Sequence, residues 1–172
     1  RNSNQSGHIL TIEDPIEYLY EHRRSIVNQR EIGIDTQTYQ LALQNALREA
    51  PDLIMIGEIR DRETMQSALL HTLTGHLCLA TLHANNSYHA LSRIINMFPY
   101  DARSGLLSDL SIGLRAIVSQ RLVRNKDGAL QPAVEILLNT SLIAELVKNG
   151  EVAQIKEAME QSLAPESISF EQ

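Results

Sequence analysis

Two apolar runs each end in a side chain able to do proton or phosphate chemistry. Pro51-Asp-Leu-Ile-Met-Ile-Gly-Glu58 delivers a carboxylate, and Leu77-Cys-Leu-Ala-Thr-Leu-His83 delivers an imidazole. A third run, Ile9-Leu-Thr-Ile12, leads into Glu13-Asp14-Pro15-Ile16-Glu17. Open α/β sheets place their reactive groups in this way, in the crevice outside the carboxyl ends of the strands.

Glu58 in this position suits orientation of a Mg²⁺ shell or an attacking water beside a phosphate. Gly57 before it would let backbone approach a phosphate closely. A solvated turn after a core strand fits Glu58 equally well. A carboxylate of Glu13-Asp14-Pro15-Ile16-Glu17 suits a general base on water, with a neighbouring one raising its affinity for a proton. An acidic loop starting a helix is the alternative there. His76 and His83 are seven residues apart, so a regular strand puts them on opposite faces, which argues against a shared metal. His83 at a strand end suits phosphate contact, whereas His71 and His89 read as structural. Arg60, Arg62, Arg115, Arg121 and Arg124 fall near element ends. Among them, Arg60, Arg62 and Arg121 are candidates for arginine fingers or interface contacts.

These groups need strands and helices to hold them. Ile9–Ile12 reads as a strand stopped by proline, and 25–32 as a second, more exposed one. Asp35-Thr36 offers N-cap chemistry for a helix burying Tyr39, Leu43, Ala46 and Leu47, which Pro51 closes. Leu53–Ile56 and Leu77–Leu82 are continuously apolar, as strands covered on both faces are. Between them a helix buries Met65, Ala68, Leu69 and Leu73, with Gly75 as its left-handed C′ residue. His89–Phe98 reads as a helix stopped by Pro99. Leu106, Leu110, Leu114, Ile117, Val118 and Leu122 recur at intervals of mostly four, predicting one long helix over 102–123. Asn125–Gly128 is a turn and Ala133–Leu138 a further strand. Two short helices, 141–148 and 152–161, follow. Strand and helix alternate, which predicts a parallel sheet with right-handed crossovers. No element precedes the first strand, so part of the sheet is expected to be missing.

Composition narrows the class. With 172 residues and 43% hydrophobic content the chain can bury a substantial core. A net charge of −6 disfavours a broad nucleic-acid surface. Of the 15 basic residues 12 are arginine, suited to bidentate phosphate or carboxylate recognition. Cys78 is the one cysteine, so no disulfide framework and no cysteine-based zinc site is expected, and a reducing cytoplasmic setting fits. None of the 8 glycines is followed by lysine, so the phosphate loop Gly-x-x-x-x-Gly-Lys-Ser/Thr is lacking.

Taken together, the segments resemble the secretion-type ATPase superfamily, and within it the type IV pilus retraction (PilT/PilU-like) ATPases. His8–Glu17 resembles the family's acidic box, Ala50–Asp61 its Walker B region, and Thr74–Asn85 its histidine box. Val27–Glu31, Asp35-Thr36 and Val118–Leu122 are similar to other family segments. The resemblance implies an α/β, RecA-like P-loop motor with a parallel-rich sheet. Its core would span 1–138 without Walker A, and a truncated helical segment 139–172. It implies ATP and Mg²⁺ as cofactors, Glu13 and Glu58 as the catalytic glutamates, and Gly57, His76 and His83 near the nucleotide. Glu58 would also serve the Mg²⁺ shell. It further implies a homo-hexamer at the cytoplasmic face of the inner membrane, acting on a pilus platform protein to drive retraction and twitching motility. The lone cysteine departs from the zinc module usual in assembly and type II secretion ATPases. Leu142–Lys148 stands where retraction ATPases carry Ala-Ile-Arg-Asn-Leu-Ile-Arg, with Ala144 and Glu145 at the Arg and Asn positions. That departure leans toward the accessory, PilU-like branch, which works beside the main retraction ATPase.

The family's N-terminal domain and phosphate loop have no counterpart before Arg1, and Ser169–Gln172 resembles the start of a closing segment. A fragment that neither binds ATP tightly nor hydrolyses it alone is expected. The competing readings are another secretion-type ATPase, or a non-catalytic subunit that docks on a pilus ATPase ring and regulates it. Intact Glu13, Glu58, His76 and His83 count against the latter. A RecA-like nucleic-acid motor is disfavoured by the absence of a basic stripe.

Overall fold

The computed structural model describes residues 1–161, 164 and 166–171, which form two compact units, Arg1–Leu82 and His83–Gln172. The first contains β1 (Gly7–Glu13), β2 (Ser25–Glu31), α1 (Tyr39–Ala46), β3 (Leu53–Ile56), α2 (Arg62–Leu73) and β4 (Leu77–Ala80). Its four strands form one parallel sheet in the order β2-β1-β3-β4. The sheet is α/β with parallel strands, as the alternation required.

Period two sorts the side chains. Leu10, Ile12, Ile54 and Ile56 lie on one face and are fully buried, and α1 packs on α2 and β1. On the other face Ile9, Val27 and Leu53 cluster with Met55 at the amino-terminal side. Toward the carboxyl end that face turns polar, through Thr11 and Gln29 to Glu13 and Glu31. The shift from apolar to polar along one face is what makes a strand end available for chemistry.

Several boundaries differ from expectation. Asp35 does not cap α1: its carboxylate accepts from the Glu31 amide, and Gly33 donates to the Thr36 carbonyl, so this pair closes a turn after β2. Thr38 is the N-cap, accepting from Leu41. Leu47 is exposed at the C-cap, and Ala50 takes a positive φ of 45° before Pro51. Leu73 is exposed as well, although Gly75 is left-handed as expected, with φ 94°. Nor is β4 covered on both faces. It is the sheet's edge among the described residues, with Leu77 41% and Leu79 49% exposed.

The second unit contains α3 (Ser87–Asn96), α4 (Arg103–Gly113), β5 (Ala116–Arg124), β6 (Leu130–Leu138), α5 (Ser141–Asn149) and α6 (Ile155–Glu160). Short 3-10 turns precede α4 and α6. The single helix expected over 102–123 is instead α4 followed by a strand. Leu114 turns extended, and the Asn139 side-chain amide donates to the carbonyls of Ser111 and Leu114, ending the helix there. β5 pairs antiparallel with β6 across a turn in which Asn125 accepts from the amides of Asp127 and Ala129. Ile117, Val118 and Val123 favour the extended form.

Candidate active site at the carboxyl end of the parallel sheet

Glu13 is the last residue of β1 and 6% exposed. Thr11, two residues earlier on the same face, donates its hydroxyl to Glu13 Oε1 at 2.5 Å. Gln29, opposite Thr11 in the parallel register, donates Nε2–H to that same oxygen at 3.0 Å. A buried carboxylate needs such donors in place of the water it has lost. Both fall on Oε1, which leaves Oε2 for water or ligand.

Glu58 lies two residues beyond β3, the strand paired with β1. Arg60 Nε donates to Glu58 Oε2 at 2.6 Å, and its Nη1 reaches Asp14 Oδ2 at 3.3 Å. The Glu58 hydrogen bond, then its charge, push the Arg60 guanidinium above its ordinary range. Arg60 is thus engaged with carboxylates of its own unit. Burial, followed by the charge of Asp14, raises the Tyr39 phenol. Arg60 and a hydrogen bond from the Glu58 backbone oppose that rise.

Gly57 joins the two strand ends. Its amide donates to the Ile12 carbonyl at 2.8 Å, and its carbonyl accepts from the Thr81 hydroxyl. A Cβ on Gly57 would stand 3.2 Å from Ile12 O, 3.2 Å from Tyr39 Oη and 3.3 Å from Glu13 Cα. Glycine therefore serves here to seat the end of β3 against Glu13. Asp61 caps α2, accepting from Thr64, and a cleft of about 360 Å³ opens beside Asp14, Tyr39, Arg60, Asp61 and Thr64.

The structure brings Glu13, Gly57, Glu58 and Arg60 into one neighbourhood. Arg62 is the first residue of α2. His76 precedes β4, its Nδ1 3.2 Å from the Thr74 hydroxyl and its ring edge-on to His71 at 5.5 Å. His71 is structural: it is buried, with Nε2 2.9 Å from the Leu43 carbonyl. His83 and Arg121 belong to the second unit. The His83 carbonyl accepts from Arg93, the Asn85 carbonyl accepts from Arg121, and the Arg121 guanidinium lies over Phe170 at 4.2 Å. His89, expected to be structural, is instead exposed, its ring tilted against Tyr88. Burial pushes the Cys78 thiol up to about 11, which makes it a poor nucleophile.

Thr11, Gln29, Tyr39 and Thr81 escaped the sequence reading. Thr11 was legible, since position i−2 shares a strand face with Glu13. Gln29 required the register, and Tyr39 read as an apolar helix position. Among the described residues no group of three or more His, Cys, Asp or Glu gathers as a metal cage. The carboxylates at the strand ends still fit Mg²⁺, a hard ion held through one or two carboxylates, waters and substrate phosphates.

Residues 2–163 match the family model described as type II/IV secretion system protein. The chain is 53% identical over 173 residues to the type IV pilus ATPase PilU of Pseudomonas aeruginosa, covering 100% of this chain and 45% of that protein. It is 40% identical over 159 residues to that organism's type IV pilus retraction ATPase PilT, covering 92% and 46% respectively. The crystal structure of the pilus retraction motor PilT with bound ADP superposes with a TM-score of 0.87 at 42% identity, covering 94% of this chain and 47% of that one. The chain thus spans about half the length of the curated relatives it matches.

Proposed function

The chain belongs to the type II/IV secretion system protein family, and from that premise we propose that it is motor-domain sequence of an ATP-hydrolysing pilus retraction protein. The observation that carries this reading is the pair of carboxylates, Glu13 at the end of β1 and Glu58 two residues beyond the adjacent parallel strand β3. In the full-length protein Glu13 takes a proton from water as the water oxygen bonds to the γ-phosphorus. The bond from that phosphorus to the bridging oxygen breaks, and ADP leaves with the electron pair. Arg60 holds Glu58 and Asp14 in place, and Gly57 fixes the spacing of the two strand ends. Glu58 would hold the water shell of Mg²⁺, which when bound neutralises charge on the β- and γ-phosphates.

The grip on those phosphates is assigned to a segment outside these 172 residues. His76, His83 and Gly57 are proposed near the nucleotide, and Arg62 or Arg121 as contacts to a neighbouring subunit. The division into a core, 1–138, and a helical segment, 139–172, belongs to the same proposal. So do a hexameric ring, a position at the cytoplasmic face of the inner membrane, and contact with a platform protein and the main retraction ATPase. No helix among the described residues is long and apolar enough to cross a membrane. Glu58→Gln in the full-length protein is expected to bind ATP and lose turnover. Hydrolysis at the wild-type rate would remove Glu58 from the mechanism.

A further inference from the structure

We infer that Thr11 and Gln29 are positioning residues that hold one oxygen of the Glu13 carboxylate so that the other acts on water. This deepens the reading above and rests on Glu13 being the base.

Thr11 and Glu13 are two apart in β1 and share a face, and the parallel register sets Gln29 opposite Thr11. The Thr11 hydroxyl and the Gln29 amide both donate to Oε1, at 2.5 and 3.0 Å. Thr11 is 2% exposed, so water cannot readily replace its hydroxyl as donor. The Gln29 amide has one possible orientation. Its Oε1 accepts from the Tyr20 backbone N–H at 2.7 Å, and Nε2 also donates to the Tyr18 carbonyl at 2.9 Å. Three hydrogen bonds therefore fix which end of the amide faces Glu13.

Two donors on one oxygen do two things. They stop rotation of the carboxyl group, and they leave Oε2 as the oxygen that receives the proton when water attacks the γ-phosphorus. A base must sit within hydrogen-bond reach of its proton in a fixed geometry, and small displacements cost much rate. Since neither Thr11 nor Gln29 is assigned a contact with nucleotide, their loss should act on turnover and not on binding.

The test uses the full-length protein, with ATP turnover, KM and melting temperature measured for Thr11→Val, Thr11→Ser, Gln29→Leu and Glu13→Gln. Thr11→Val and Gln29→Leu are expected to lower kcat about tenfold with KM within twofold, and Thr11→Ser to restore most of it. Should Thr11→Val fail to fold, Gln29→Leu decides by the same split. If Glu13→Gln abolishes turnover while Thr11→Val and Gln29→Leu keep the wild-type kcat, the positioning role is overturned and the base stands. Equal impairment in Thr11→Ser and Thr11→Val also overturns it, because the methyl group and not the donor then matters. Wild-type turnover in Glu13→Gln overturns the base itself and the positioning role with it.

Discussion

Glu13 in the first unit and Glu135 in the second are equally buried, each 6% exposed, but their surroundings differ in kind. Glu135 lies within β6 and accepts from the backbone amide and hydroxyl of Ser87, the first residue of α3, at 2.8 and 2.7 Å. Its charge faces a helix N-terminus, where the macrodipole and unpaired amides compensate it. Glu13 ends its strand and is held by one side chain of that strand, Thr11, and one of the neighbouring strand, Gln29. The first arrangement joins a helix to a sheet. The second leaves a carboxylate poised at the mouth of a parallel sheet, where ligands bind. Burial alone does not distinguish a carboxylate that joins two elements from one held at a strand end; the partners do.

That contrast breaks most sharply through Glu135. Glu135→Ala leaves the buried Ser87 amide without its acceptor and the Ser87 hydroxyl with only Ser119 Oγ, 3.4 Å away, so unfolding by denaturant should show a loss of about 2–3 kcal/mol. A loss below about 0.5 kcal/mol would place Glu135 outside the packing of its unit.

Gly57→Ala probes the other region. Its methyl group would crowd Ile12 O, Tyr39 Oη and Glu13 Cα, costing about 1–3 kcal/mol of stability and displacing Glu13. An unchanged melting temperature would mean that the strand ends can part freely.

The smallest effect concerns His71, a residue of the first unit with no proposed part in the chemistry. Burial holds its imidazole below the ordinary 6.5, opposed by the Leu43 carbonyl and aided by His76. The unfolded chain then binds the proton first, so stability falls as pH drops below about 6.5, by at most about 1.4 kcal/mol per pH unit. His71→Gln should flatten the dependence of melting temperature on pH between about 7.5 and 5.5. An identical slope in both proteins would assign the acid sensitivity elsewhere.

How far the sequence could be read follows the same division. Much of the parallel sheet was legible because β1 and β3 are apolar runs ended by a carboxylate or glycine, and α1 and α2 separate β2, β3 and β4. The placement of Glu13 and Glu58 beside each other, at and just beyond the carboxyl ends of paired strands, was legible because each follows an apolar run. The second unit misled because Leu110, Leu114, Val118 and Leu122 recur at intervals of four. That interval keeps residues on one face of a helix and also on one face of a strand, and the β-branched Ile117, Val118 and Val123 decided for the strand. Leu77 and Leu79 misled differently, since a continuous apolar run does not reveal whether a strand is central or at an edge. Gln29 was beyond reach, because its bond to Glu13 depends on a register that no local pattern encodes.

The most direct test of the account is single-turnover ATP hydrolysis by full-length Glu13→Gln protein, with nucleotide binding measured on the same sample. We expect binding within about twofold of wild type and a hydrolysis step slowed at least about 100-fold. Hydrolysis at the wild-type rate with bound ATP would contradict the assignment of Glu13 as the group that activates water.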